Sequence, residues 1–258
     1  MNKENLDLAT RNIQSSMSVL TPVPEGSKVE PLGSAILLIH EDSHNLISAG
    51  HLINIDDYNN LIMPLPGTQE GLFIDTFGDL KTTNKKGEQK DNEIDFAKIE
   101  FKRKDKVEKV SQFYTFIQQE QIELDHVPKA DDDRYFIFGY PNSRAKFDYK
   151  NKKEINSEPL RIVTYPIVDE EFYIKNGFSS DTHLLLHIQR KLQVNGNRVF
   201  KPKTKGLSGC GVYFLPELKS EEESGDFKLL GILTEVDFEK QFATVVRMNT
   251  ILNRINAS

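Results

Sequence analysis

The apolar residues of this chain change period near its start. Leu6, Ala9, Ile13, Met17 and Leu20 recur at helical spacing, and Pro22-Val23-Pro24-Glu25-Gly26 follows with residues that stop a helix. The pattern predicts a leading helix over Leu6–Val19. From Gly33 the period shortens. Ala35–His40 and Leu46–Ala49, parted by the polar Glu41-Asp42-Ser43-His44-Asn45, predict a β-hairpin whose second strand ends just before His51. Asp95–Phe101 alternates: Asp95, Ala97, Ile99 and Phe101 share one face, with Phe96, Lys98 and Glu100 on the other. A carboxylate therefore heads the more apolar face, where an ionised group is costly unless something hydrogen-bonds to it. The alternative is a strand-leading residue open to water.

Between Lys102 and Asp133 the chain is charged and weakly periodic, closing on Asp131-Asp132-Asp133, and reads as a connection. Strand patterns resume at Arg134–Pro141, Leu160–Tyr165, His183–Val194 and Arg198–Phe200, the last two joined at the tight-turn dipeptide Asn195-Gly196. Val212–Leu215, an acidic loop from Ser220 to Asp226, and Leu229–Val236 follow, and Met248–Ile255 reads as a closing helix.

Chemistry concentrates in three blocks: Ala49-Gly50-His51, Asp95 within Asn92-Glu93-Ile94-Asp95-Phe96-Ala97, and Lys205-Gly206-Leu207-Ser208-Gly209-Cys210-Gly211. A serine hydroxyl is a weak nucleophile at neutral pH. It needs an imidazole to take its proton and a carboxylate to hold that imidazole in the right tautomer. A glycine two residues before the serine lets the loop turn two backbone N–H groups, those of Gly206 and Ser208, toward a developing oxyanion. Chain order separates the ways of building such a site. A Gly-x-Ser-x-Gly elbow needs its histidine after the serine, but Cys210 holds the second glycine position and no histidine follows His187. An acid-before-histidine order would draw on Asp42, within the hairpin break. The order His51, Asp95, Ser208 fits best.

These residues resemble the chymotrypsin-like (trypsin-like) serine peptidases. Leu46-Ile47-Ser48-Ala49-Gly50-His51-Leu52-Ile53 is similar to the family's histidine segment, Ile94-Asp95-Phe96-Ala97 to its Asp-Ile-Ala segment, and Gly206-Leu207-Ser208-Gly209 to its Gly-Asp-Ser-Gly loop. The resemblance covers roughly Gly33 to Ile255 and is to a bacterial intracellular type. It implies an all-β fold of two packed antiparallel six-stranded β-barrels with short N- and C-terminal helices. Residues 1–110 would hold the first helix and the barrel carrying His51 and Asp95, 111–133 the linker, and 134–258 the barrel carrying Ser208 and the last helix. The implied activity is a serine endopeptidase working through an acyl-enzyme on protein or peptide substrates. His51, Asp95 and Ser208 would be catalytic, and the Gly206 and Ser208 amides would form the oxyanion hole. Leu207 stands where secreted trypsins carry the aspartate that pairs with a new N-terminus, so activation by that route is not expected. Gating by a regulatory protein partner or a conformational switch is expected instead. The alternative is a catalytically inactive binding module, supported by Cys210-Gly211 in place of the usual Gly-Pro; an esterase is disfavoured by residue order.

Composition narrows the setting. The 258 residues are 38% hydrophobic without a long apolar run, and carry a formal charge of −6. That predicts a soluble protein with neither nucleic-acid nor membrane partners. The start of the chain lacks the pattern of an export signal, and a single cysteine suits a reducing compartment, so cytoplasmic residence is expected. No metal or organic cofactor is expected: His183 and His187 read as strand residues without the Glu of a His-Glu-x-x-His motif, and Asp131-Asp132-Asp133 as a solvated run. Cys210 reads as a small buried residue rather than a redox thiol. The clusters Lys150-Asn151-Lys152-Lys153 and Lys201-Pro202-Lys203-Thr204-Lys205 read as solvated loops. For specificity, no acid stands in Lys201–Thr204, and Glu235 on the strand after the serine could colour the pocket.

Overall fold

The computed structural model describes residues 3–22, 31–53, 58–68, 70–83, 94–130, 134–148, 154–157, 159–189, 191–194, 197–200, 203–215 and 226–256. The Pro22–Gly26 stop beyond Pro22, Asn92-Glu93, Asp131-Asp132-Asp133, Lys150–Lys153, Asn195-Gly196, Lys201-Pro202 and the acidic loop before Asp226 lie outside the described residues.

The leading helix is shorter than its periodicity predicts. Helix α1 (Lys3–Ser15) ends where the Ser15 and Ser16 hydroxyls donate back to the Asn12 and Ile13 carbonyls, and the chain enters strand β1 (Met17–Pro22). Met17, Val19 and Leu20 are all buried, and an apolar run covered on both faces carries no period that separates strand from helix.

The predicted hairpin forms as β2 (Gly33–His40) and β3 (Ser43–Ser48), but its turn is only Glu41-Asp42, both with positive φ (48° and 63°). That is the two-residue turn matching strand twist, so His44 and Asn45 join the strand rather than the break. Short strands β4 (Leu61–Pro64), β5 (Gly71–Phe73), β6 (Leu80–Thr82) and β7 (Ala97–Glu100) complete an antiparallel sheet of order β5-β4-β1-β2-β3-β7-β6. Its core gathers Leu20, Leu37 and Leu46 with Ala97, Ile99 and Phe101, the face predicted to be apolar. Phe96 points the other way yet is also buried, in a second cluster.

The charged stretch after Phe101 is not featureless: helix α2 (Lys104–Ser111) starts it. Beyond, the chain touches both halves, pairing Ile117 beside Leu38 and Ile122 beside Leu229. The second half comprises β8 (Tyr135–Gly139), β9 (Ala145–Asp148), β10 (Glu154–Ser157), β11 (Leu160–Thr164), α3 (Glu170–Lys175), β12 (His183–His187), β13 (Lys191–Val194), β14 (Asn197–Phe200), β15 (Gly211–Phe214), β16 (Lys228–Asp237), β17 (Phe242–Arg247) and α4 (Met248–Asn256). The order β12-β17-β16-β15-β8-β11 closes on itself where Pro166 bridges Leu186, the Ile167 amide donates to Leu185 and the His187 amide to Tyr165. This is a six-stranded barrel. The predicted single strand His183–Val194 is two, because β12 pairs with β17 while β13 pairs with β14 and, among the described residues, meets β11 at Ile162 opposite Val194.

The two curled sheets share a core. Ile36, Leu38, Ile47 and Phe96 of the first half pack in one cluster with Ile137, Ile162, Leu186, Val212 and Ile232 of the second, and with Leu6, Ala9 and Ile13 of α1. No helix among the described residues is long and apolar enough to cross a membrane.

Candidate active site

His51 and Asp95 are brought together by register. β3 and β7 pair antiparallel with Ser48 opposite Ala97, so two residues past the last pair the chain carries Gly50-His51 on one side and Asp95 on the other. A single 3-10 turn, Gly50–Leu52, holds the histidine there. Asp95 Oδ1 accepts from the His51 amide at 2.9 Å and Oδ2 lies 2.6 Å from His51 Nδ1. Asp95 is only 6% exposed, which answers the question left by the sequence: the carboxylate is buried and its partner is the imidazole. A carboxylate only accepts, so the ring donates Nδ1–H and carries its lone pair on Nε2.

The serine loop is shaped by two glycines in the left-handed region, Gly206 (φ 94°) and Gly209 (φ 81°). A Cβ on Gly206 would fall 1.9 Å from Asn142 Oδ1, and one on Gly209 2.1 Å from the Ser34 carbonyl and 2.3 Å from Ser48 Oγ. The loop of the second barrel therefore rests against Ser48-Ala49, the residues that lead into His51. Ser34, fully buried on β2, fastens it: its amide donates to the Ser208 carbonyl (2.9 Å), its hydroxyl donates to the Gly206 carbonyl (3.2 Å) and accepts from the Tyr140 amide (3.1 Å). Ser48 Oγ in turn donates to the Ser34 carbonyl at 2.8 Å.

Peptide planarity then gives the direction of the two amides of interest. In a trans peptide C=O and N–H point opposite ways. The Lys205 carbonyl accepts from the Asn142 amide (2.8 Å) and the Leu207 carbonyl from the Cys210 amide (2.9 Å), so the Gly206 and Ser208 N–H groups are turned away from those partners. Ser208 Oγ donates to the Thr234 carbonyl at 3.2 Å. Thr234 sits at a register shift in the β16–β17 pairing, between Leu233 and Glu235, a bulge that re-aims this carbonyl.

Leu207 and Cys210 point the other way, into the core over Gly139, both essentially inaccessible. Burial pushes the Cys210 thiol well above the usual range, and the reading of a small buried residue holds. His183 and His187 lie on strand β12, the first buried and the second exposed. Glu235 is half-buried on β16. Ser34, Ser48, Asn142 and Thr234 escaped the sequence analysis; each is a common polar residue with no spacing to mark it.

No protein-family model matches the chain, and no curated protein sequence matches it either. Solved structures do match in shape. The HtrA-type protease AlgW with a tripeptide aligns with a TM-score of 0.52 at 11% identity, over 97% of this chain and 62% of that one. The protease of tobacco vein mottling virus aligns at 0.47 and 14% identity over 96% and 85%, and a Glu endopeptidase in complex with MPD at 0.49 and 8% over 95% and 91%. With the closed second barrel and the curled first sheet, the likeness to AlgW defines the class: the chain has the chymotrypsin-like double-barrel fold.

Proposed function

We propose that the chain is a serine endopeptidase in which Ser208 is the nucleophile, His51 the general base and acid, and Asp95 the residue that orients His51. The observation that carries this reading is the 2.6 Å contact of half-buried His51 with buried Asp95 beside a glycine-shaped serine loop. A hydroxyl has one hydrogen, and Ser208 gives it to Thr234 in the resting arrangement. Substrate entry would swing Oγ toward His51 Nε2, which takes the proton as Oγ adds to the peptide carbonyl. The amides of Gly206 and Ser208 would hold the oxyanion. His51 then protonates the leaving amine, and water repeats the sequence to release the acyl group from Ser208.

The swing of Ser208 off Thr234 offers a natural point for gating by a partner or by the loop itself, replacing the N-terminal pairing that Leu207 forbids. The lone buried cysteine suits residence in a reducing cytoplasm, which cell fractionation would test.

A fluorophosphonate probe tests the core of the proposal. Wild type should label and Ser208→Ala should not, and Asp95→Asn should lower hydrolysis by about 10⁴-fold. Equal silence of wild type and Ser208→Ala toward the probe, with unchanged peptide binding, would favour the inactive binding module.

A further inference from the structure

The serine loop is approached through an unusual stretch of chain. From Thr182 to Pro216, 35 consecutive residues contain no carboxylate in a protein that has 39, and they contain six cations: Arg190, Lys191, Arg198, Lys201, Lys203 and Lys205. The fold gives this stretch a definite placement. Between β12 and the serine loop it forms the hairpin β13–β14, which lies beyond β11 in the sheet order and pairs with it at Ile162 opposite Val194. The base of the hairpin, Lys191 opposite Phe200, is the end nearer in sequence to Ser208. Lys191, Lys203 and Lys205 are exposed, and Phe200, opposite Lys191, is 63% exposed. Lys205 and Lys203 precede Ser208 by three and five residues. At about 3.6 Å per residue at most, their Cα atoms lie within roughly 11 and 18 Å of the serine. An extended peptide advances about 3.3 Å per residue, so chain length alone keeps Lys205 and Lys203 no farther from Ser208 than the span of roughly three to five substrate residues.

We propose that Lys191, Lys203 and Lys205 form a cationic approach to Ser208 that selects acidic polypeptide segments as substrates. The inference rests on the endopeptidase reading for its cleavage step but not for the binding step. An acidic polypeptide is favoured over nucleic acid because the chain as a whole is acidic and the cations form one short strip rather than a phosphate-tracking face. The exposed Phe200 adds an apolar surface that a peptide side chain can cover. The strip opposes the net charge of the protein, so it attracts anionic segments only at close range and only when salt is low.

A proteome-derived peptide library digested by the full chain, with the cut sites read by mass spectrometry, tests this directly. Asp and Glu should be enriched within five residues of the cut by roughly two- to fivefold per engaged lysine, and the enrichment should shrink between 50 and 500 mM NaCl. The double variant Lys191→Glu/Lys203→Glu should erase or invert that preference while cutting peptides free of Asp and Glu within about twofold of wild type. Cleavage without acidic enrichment, or enrichment unmoved by the double variant, overturns the strip and leaves the endopeptidase standing. If wild type cuts nothing, the endopeptidase reading fails and binding decides the strip alone. Ser208→Ala should then hold a fluorescent Glu-rich peptide more tightly than a Gln-rich one, with Lys191→Glu/Lys203→Glu removing the difference. Equal binding of the two peptides, or tighter binding of a single-stranded oligonucleotide of matched charge, overturns it.

Discussion

At the scale of single residues, the site depends on where a Cβ can and cannot go. Gly206 combines a left-handed φ with a neighbour, Asn142, that already fills the space a methyl would need. Gly206→Ala should therefore twist the Lys205–Gly206 peptide and misdirect its N–H, lowering kcat/KM by about 100- to 1,000-fold, the loss typical of one oxyanion donor. Gly67 is the matched control: its φ is 71°, yet nothing lies within 4 Å of its added Cβ. Gly67→Ala should cost only the left-handed penalty, about 1–2 kcal/mol of stability, and leave hydrolysis intact. Parallel peptide hydrolysis and thermal melts of the two variants would separate them, and equal losses of activity would refute the argument. The meeting of His51 with Asp95 was legible in the sequence because the proposed chemistry requires those residue types in one order. Ser34 and Asn142 were not, since their roles come from a backbone fit between distant segments that leaves no local pattern.

At the scale of elements, edges were harder to read than centres. The alternation through Ala97, Ile99 and Phe101 gave the inner face of β7 correctly, whereas β1 looked helical and three-residue strands such as β5 and β6, neither fully buried, offered no period at all. The β2–β3 hairpin shows what a misjudged edge conceals. With its turn confined to Glu41-Asp42, His44 belongs to β3, its ring edge-on to Phe116 at 4.8 Å. Burial lowers the His44 pKa from its ordinary value near 6.5. The unfolded chain thus takes up a proton as pH drops through 6.5 while the folded chain resists until a lower pH, so the unfolded state binds more protons across that window. Stability should fall as pH is lowered through it. His44→Leu should show a smaller loss than wild type between pH 7.5 and 5.0 in urea unfolding, and parallel losses in both would remove His44 as the cause.

At the scale of the whole molecule, the two halves are less separate than the two-barrel resemblance implies. Helix α1 belongs by sequence to the first half, yet Leu6, Ala9 and Ile13 pack in the cluster that spans both barrels, and Arg161 of β11 donates to Thr10 Oγ1 at 2.9 Å. The serine loop adds a polar fastening through Ser34, and the connector pairs with β2 at Ile117 and beside Leu229 of β16 at Ile122. His51 in one half and Ser208 in the other keep their relative position only if the seam resists shear, and α1 and the connector both cross it. Ile13, 2% exposed, is the side chain to remove. Ile13→Ala should cost about 2–5 kcal/mol, as expected for a cavity at a site that cannot collapse freely. Because the core is shared, that loss should lower protection from hydrogen exchange in strands of both barrels together, in one cooperative transition. Loss confined to the first barrel, with β16 and β17 keeping wild-type protection, would mean that the barrels are coupled through the serine loop and the connector and that α1 is an ornament of the first.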